Sequence, residues 1–341
     1  MFEPRFIISE YLLRNIKEVA VLVATLNRRS FPRTVLATFE KQANSLSAHA
    51  STSIEGNPLP LTEVKRLLKS RPQHLRDTER EVLNYNRILE ALNDKIKHGS
   101  ITIDIPFICR VQRAVTADLL AKHQVGTLRT EPVFVNDPRS GHTMYWPPDH
   151  DAVPDLMGDL IRFVRERRGH LDPLLLAGLF HKQFVIVHPF MDGNGRTARL
   201  VTKALLADMG LDTFNFFSFE NYYNNSVAAY FQHVGVRGNY YELVAAIDFT
   251  PWLEYFTGGI IDELLRVKKE LDREHATPDS VLHPYQKKLL DWVDRNGFIA
   301  DRDYARLTTR AKATRALDLK KLVDNGTLRR FGKGRQTYYK R

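Results

Sequence analysis

Residues 188–199 read HPFMDGNGRTAR, which puts an imidazole, a carboxylate, two glycines, an asparagine and two guanidinium groups within twelve positions. The segment before it, DPLLLAGLFHKQFVIV, predicts a buried helix. Asp172 is suited to cap its N-terminus and Pro173 to occupy its first position. Leu175, Leu176, Leu179, Phe180 and Phe184 give that helix a broad apolar face. His188 then stands at its C-terminal end, where Pro189 discourages continuation. A second helix begins near Arg196 and runs through ARLVTKALLADM to Gly210, a C-terminal cap. Gly193-Asn194-Gly195 therefore forms a loop at a helix N-terminus. There, converging backbone N–H groups and the positive end of the helix dipole make an anion site.

Arg196 and Arg199 are three apart, share one helical face, and extend that site to further negative groups, as a polyphosphate requires. Asp192 lies too close to an anion site to stand there without a bridging cation. Mg²⁺ is the economical one, because it takes one or two carboxylates together with phosphate oxygens. His188 adds a base that titrates near neutrality. Together these groups point to attack by a hydroxyl on a metal-bound nucleotide phosphate.

The rest of the chain sets bounds. It has 341 residues, 43% of them hydrophobic and 26% charged, which supports a substantial core and argues against disorder. Cys109 stands alone, which excludes an intramolecular disulfide and fits a reducing compartment. MFEPRFIISEYLL lacks the build of a signal peptide and no apolar run approaches a membrane span, so a soluble, cytoplasmic protein with no membrane contact is expected. The net charge of +10 is unevenly spread: residues 301–341 hold 13 Lys and Arg against 4 Asp and Glu, leaving the first 300 residues near neutrality.

Helical periodicity fills the N-terminal third in YLLRNIKEVAVLVATLNRR, LTEVKRLLKS and DTEREVLNYNRILEALNDKI. TEPVFVNDPRSGHTMYW reads as a hairpin, with two β-rich pieces around a turn. HATPDSVLHP reads as a linker. Beyond it, three helical runs and a two-stranded ribbon follow the order of a winged helix-turn-helix.

HPFMDGNGRTAR resembles the signature of the Fic family, His-Pro-Phe-x-(Asp/Glu)-Gly-Asn-(Gly/Lys)-Arg-x-x-Arg, and matches it at every specified position. The resemblance implies an all-α fold with a small β-hairpin flap, here joined to a C-terminal winged helix-turn-helix. It implies an adenylyltransferase that moves AMP from ATP to a hydroxyl of a target protein and releases pyrophosphate. Carried over, His188 deprotonates the acceptor and Asp192 holds Mg²⁺. Gly193, Asn194 and Gly195 cradle the phosphates, Arg196 engages the α- and β-phosphates, and Arg199 the γ-phosphate. Phe190 anchors the loop. LRTEPVFVNDPRSGHTMYWPP resembles the family's flap, so Val133, Phe134, Val135 and Asn136 are expected to line the nucleotide and target cleft, where a strand edge binds extended peptide. VAAYFQHV falls where the family has a Tyr-Tyr pair near the adenine; here it is Tyr230-Phe231, with core packing the other reading of Phe231.

ASTSIEGN resembles the inhibitory motif of Fic proteins that carry their own inhibitory helix. Ser51 and Glu55 share a helical face, and Gly56 ends the helix. A Glu55 carboxylate on Arg199 competes with a γ-phosphate. At about 4 Å and an effective dielectric near 20, such a pair is worth roughly 4 kcal/mol before desolvation. On this basis residues 1–100 form a helical region bearing the inhibitory motif, 101–270 the Fic core and 283–341 the winged helix-turn-helix. In the last of these, Lys312, Arg315, Lys320 and Lys321 on the recognition helix, with Arg329, Arg330, Lys333 and Arg335 on the ribbon, make a phosphate-contacting face for DNA. Three readings stay open: a self-restrained adenylyltransferase, an enzyme that removes AMP, and a DNA-binding regulator whose Fic core senses nucleotide. Transfer of another phosphate-containing group is a variant of the first. Fic proteins often pair as dimers, which makes a second copy an expected partner, although no residue here marks an interface.

Overall fold

The computed structural model describes every residue except 29–32, 71, 73, 100, 137–141, 212–213, 277–283, 325–326 and 333. The chain is predominantly helical and divides into two units. The first comprises Met1–Asn27 and Ala43–Leu265, the second Arg28–Gln42 and Arg266–Arg341.

In chain order the helices are α1 (Glu10–Asn27), α2 (Arg33–Ile54), α3 (Leu61–Ser70), α4 (Asp77–His98), α5 (Ile105–Val115), α6 (Val153–Arg167), α7 (Pro173–Val187), α8 (Asn194–Leu206), α9 (Glu220–Asn225), α10 (Val227–Val234), α11 (Tyr240–Leu243) and α12 (Thr250–Ala276). The centre of the first unit is α7 packed on α8, with α5 and α6 alongside. α7 is apolar on all its faces and is buried nearly all round, as such a helix must be. Asp172 caps it by accepting from the Leu174 N–H, and Pro173 opens it. Its approach to α12 depends on Gly178. A Cβ there would collide with Leu253, and Trp252 donates its indole N–H to the Gly178 carbonyl at 2.7 Å. α8 starts at Asn194, two residues earlier than its sequence predicts, because Gly193 supplies a left-handed N-cap (φ 80°).

The hairpin consists of β1 (Val135–Asn136) and β2 (Thr143–Trp146), antiparallel, with Val135 opposite Tyr145 and Asn136 opposite Thr143. Its turn, 137–141, lies outside the described residues. A third strand, β3 (Gly238–Asn239), joins β2 in parallel, a pairing that local patterning does not foretell in so short a segment.

The second unit contains α13 (Pro284–Asn296), α14 (Asp301–Leu307), α15 (Lys312–Asp324), and the antiparallel β4 (Arg329–Phe331) and β5 (Tyr338–Lys340). Leu289, Leu290, Val293, Ile299, Tyr304, Leu319, Leu322 and Leu328 form its core. Residues 277–283 of the expected linker, and Lys333, lie outside the described residues. Lys312, Lys320, Lys321, Arg329 and Arg330 face solvent. Arg315 does not join them: its guanidinium clamps Asp301 at 3.0 and 3.1 Å and donates to the Arg310 carbonyl. The spacing that put it on the basic face could not show that Asp301, in the first turn of the neighbouring helix, lies within its reach. Among the described residues no helix is long and apolar enough to cross a membrane.

Candidate active site

The turn between α7 and α8 is held carbonyl by carbonyl. His188 Nδ1 lies 3.3 Å from the Val185 carbonyl. Tyr145 of β2 donates to Ile186 O, and Arg129 to the carbonyls of Val187 and His188 and, through its own backbone N–H, to Pro189. Asn194 closes the turn on itself: its Oδ1 accepts from the Phe190 N–H and its Nδ2 donates to the Phe190 carbonyl. Gln112 on α5 donates to Asp192 O. Phe190 is wholly buried and packs against Phe184, which is the anchoring position expected of it. The Asn194 side chain thus serves the loop. Its contribution to an anion site is confined to the backbone N–H at the start of α8, where the first N–H groups of a helix have no intrahelical acceptor.

His188 ends α7 in the left-handed region at φ 51°. A carbonyl beside Nδ1 requires that nitrogen to carry the hydrogen, which leaves Nε2 as the basic lone pair. Burial lowers its pKa below the usual imidazole value and Arg129 adds to the effect, against the Val185 hydrogen bond, Glu55 and Asp192. The imidazole is therefore neutral at physiological pH and able to take a proton.

Arg199 is fully buried, and each of its nitrogens has a partner. Nε donates to Ser51 Oγ at 2.8 Å, Nη2 to the Ser51 carbonyl at 2.8 Å and to Glu55 Oε1 at 2.7 Å, and Nη1 reaches the Tyr230 hydroxyl at 3.4 Å. Burial opposes its charge, but Glu55, Tyr230 and Tyr85 outweigh that and raise its pKa. The Glu55 carboxylate also lies against the first turn of α8, since a Cβ on Gly195 would collide with its Oε1. An acidic group already occupies the place where the anion site was expected. Gly56 makes this geometry by ending α2 in a left-handed cap (φ 95°): Gly56 N–H donates to Ser53 O and Asn57 N–H to Thr52 O.

Arg196 is held differently. Nη1 pairs with Glu81 of α4 at 2.8 Å and Nη2 with Asp192 at 2.9 Å. Asp192 also accepts from the Gly193 N–H, and half of its side chain is exposed. Among the described residues no cluster of three or more His, Cys, Asp or Glu could enclose a metal. One open carboxylate suits Mg²⁺ that arrives already bound to a triphosphate.

Tyr230, the residue expected near an adenine, is part of the buried core. It is buried with its ring stacked on Tyr223 at 4.7 Å, and its hydroxyl lies between Arg199 and His181 Nε2. Burial, opposed by Arg199, pushes its pKa to about 12. Phe231 is 46% exposed, so core packing does not explain it. In the segment expected to line the cleft, Phe134 and Asn136 face solvent and Val133 and Val135 are partly covered.

The structure brings Ser51, Glu55, Gly195, Arg199 and Tyr230 into one network and Asp192 and Arg196 into another. It also adds residues that sequence reading passed over. Glu81 is one; Asn57 donates to its Oε2 at 2.7 Å, and burial raises its pKa against the pull of Arg196. Tyr85 takes a hydrogen bond from Ser51 and donates to the buried Glu220, which also accepts from Ser47. Arg129 is another. None belongs to a compact motif; for Glu81 and Tyr85 the signal was a polar residue at a helix position that ought to be apolar, and Arg129 lies outside the helices.

Residues 102–206 match the sequence profile of the Fic/DOC family. Protein adenylyltransferase Fic of Nematostella vectensis is 30% identical over 173 residues, covering 50% of this chain and 39% of that one. Protein adenylyltransferase fic-1 of Caenorhabditis elegans is 28% identical over 186 residues, covering 52% and 34%. The chain thus spans less than two fifths of either relative's length. In fold it is similar to a crystallised Fic family protein from Desulfovibrio desulfuricans G20, with a TM-score of 0.67 at 18% identity over 99% of this chain and 98% of that one. It is also similar to Fic-1 of Caenorhabditis elegans, with a TM-score of 0.60 at 21% identity over 77% and 73%. With the α7–α8 turn and its two arginines lying inside the matched residues, the chain carries a Fic domain.

Proposed function

We propose that this chain is a protein adenylyltransferase that transfers AMP from ATP to a hydroxyl side chain of a target protein and is held in check by Glu55. The observation that carries the reading is Glu55 on Arg199 at 2.7 Å against Gly195, a carboxylate seated where a terminal phosphate would sit, in a signature whose first residue is the His188 imidazole. His188 Nε2 takes the proton of the acceptor hydroxyl. The oxygen attacks the α-phosphorus, the bond to the bridging oxygen of the β-phosphate breaks, and pyrophosphate leaves. The α8 N–H groups, Arg196 and, once Glu55 withdraws, Arg199 neutralise the charge on the triphosphate. Mg²⁺ enters with ATP as part of the substrate. Asp192 would hold it, and it would supply charge neutralisation. The segment 133–136, which ends in β1, would receive the target segment.

The test is mass spectrometry and α-phosphate radiolabelling of the purified protein with ATP and Mg²⁺, beside Glu55→Gly and His188→Ala. Glu55→Gly should raise AMP incorporation and His188→Ala abolish it. Unaltered incorporation in Glu55→Gly would overturn the brake, and incorporation by His188→Ala would overturn the base. Loss of label from a modified protein in a Glu55-dependent manner would favour the reverse reaction. GTP and UTP as competing donors test the nucleotide. A second reading rests on the solvent-facing Lys312, Lys320, Lys321, Arg329 and Arg330 of the second unit: this basic face contacts DNA phosphates, and binding that tightens as salt is lowered in a mobility-shift assay would support it.

A further inference from the structure

Resting on the AMP-transfer reading, we propose that Arg129 is a positioning residue for His188, which sets the base and the hairpin as one piece. Arg129 is 3% exposed, and its guanidinium donates to backbone carbonyls. Nε donates to His188 O at 2.8 Å, Nη1 to Glu131 O at 3.3 Å, and Nη2 to Pro148 O and, at 3.5 Å, Val187 O, while its own N–H donates to Pro189 O at 2.9 Å. Val187, His188 and Pro189 are the end of α7 and the start of the signature turn. Glu131 and Pro148 are the two feet of the β1–β2 hairpin. One planar group therefore ties the signature turn to the hairpin.

The physics favours a guanidinium here. The last carbonyls of a helix lack intrahelical donors and carry the negative end of its dipole, so a buried cation at this place meets compensating charge without a carboxylate. A rigid fork of five donors can serve carbonyls on three sides; an ammonium on a flexible stem cannot. His188 moreover holds a left-handed backbone that non-glycine residues rarely adopt, and such conformations persist only where neighbours over-determine them. Fixing the His188 carbonyl fixes the peptide plane, and with it the direction of the Cα–Cβ bond that aims the imidazole. Tyr145, which donates to Ile186 O from β2, is the only other side chain among those described that ties a hairpin strand to these carbonyls.

The experiment uses the Glu55→Gly chain as reference, adding Arg129→Lys or Arg129→Gln. ATP affinity by calorimetry should stay within about twofold, while kcat for AMP transfer falls about 10- to 100-fold, the cost of a base displaced by about an ångström. Hydrogen–deuterium exchange should quicken together at 131–136, 143–148 and 186–190. Transfer within twofold of the reference, or ATP affinity falling in step with transfer, would overturn the proposal. If Glu55→Gly itself transfers no AMP, the enzymatic reading fails and exchange alone decides whether Arg129 joins the segments: unchanged protection overturns it, coupled loss supports it. Should both variants unfold, the Arg129 Nε–H resonance of the unsubstituted protein serves instead. Slow solvent exchange supports the clamp, and exchange as fast as at a surface arginine refutes it.

Discussion

Arg196 and Arg199 stand three residues apart on one helix, yet their surroundings differ in kind. Arg199 has no exposed surface and a partner on every nitrogen, and its carboxylate comes from the turn that ends α2, a helix distant in sequence. Arg196 shares its charge between Glu81 and Asp192, four residues away on its own turn, and its buried Nε has no partner. A contact supplied by a separate helix can be withdrawn by moving that helix. One supplied within the same turn cannot. Arg199 would lose its carboxylate if the turn that ends α2 moved, whereas Arg196 would keep Asp192 of its own turn even without Glu81 of α4; we therefore propose that the first is regulated and the second merely oriented.

The strongest way to break this contrast is Glu55→Gly. Freeing Arg199 should raise AMP incorporation on the order of a hundredfold, less than the full attraction of a close ion pair because both groups are desolvated when paired. A change below about threefold would place the two arginines on an equal footing. Ser51→Ala sharpens the contrast next. It removes the acceptor of Arg199 Nε and the donor to Tyr85, so it should cost about 1–3 kcal/mol in denaturant unfolding while leaving Glu55 in place. Glu81→Gln is expected to do less. Because Asp192 still pairs with Arg196, the KM for ATP should change by about two- to fivefold, and a hundredfold activation would contradict the assignment of Arg196 as oriented rather than restrained.

The smallest effect concerns pH. Burial holds both His188 and His181 below the ordinary value of 6.5, so the folded chain binds fewer protons than the unfolded one between those values. Their contribution is complete above pH 6.5 and is lost as pH falls through the lower folded values. The midpoint of urea unfolding should therefore fall steadily below pH 6.5, and the acid limb of AMP transfer should lie below that pH as well. His181→Gln should flatten part of the stability trend; an unchanged slope would show that other groups carry it.

Some of this was legible before any coordinates. Asp172-Pro173 opens a helix whose apolar face forces burial, Gly193 and Gly56 sit where left-handed backbone was needed, and the twelve-residue block put base, carboxylate and guanidinium groups in one turn. What was not legible shares a cause. The Tyr230 hydroxyl turns to Arg199 and His181, which lie 31 and 49 positions away. The Arg315 guanidinium, expected on the basic face, is engaged by Asp301, 14 positions earlier.

Residue order alone determined what depends on short range: where helices start and stop, where the chain must turn, and which chemical groups crowd into one loop. The tertiary structure alone decided which of those groups are already engaged. That Glu55 reaches Arg199 across 144 positions, that Glu81 meets Arg196, and that Arg129 gathers the carbonyls of a helix end and a hairpin are facts of packing. Ion pairs and hydrogen bonds act over a few ångströms of space, and distance along the chain carries almost no information about that separation once the helices have packed.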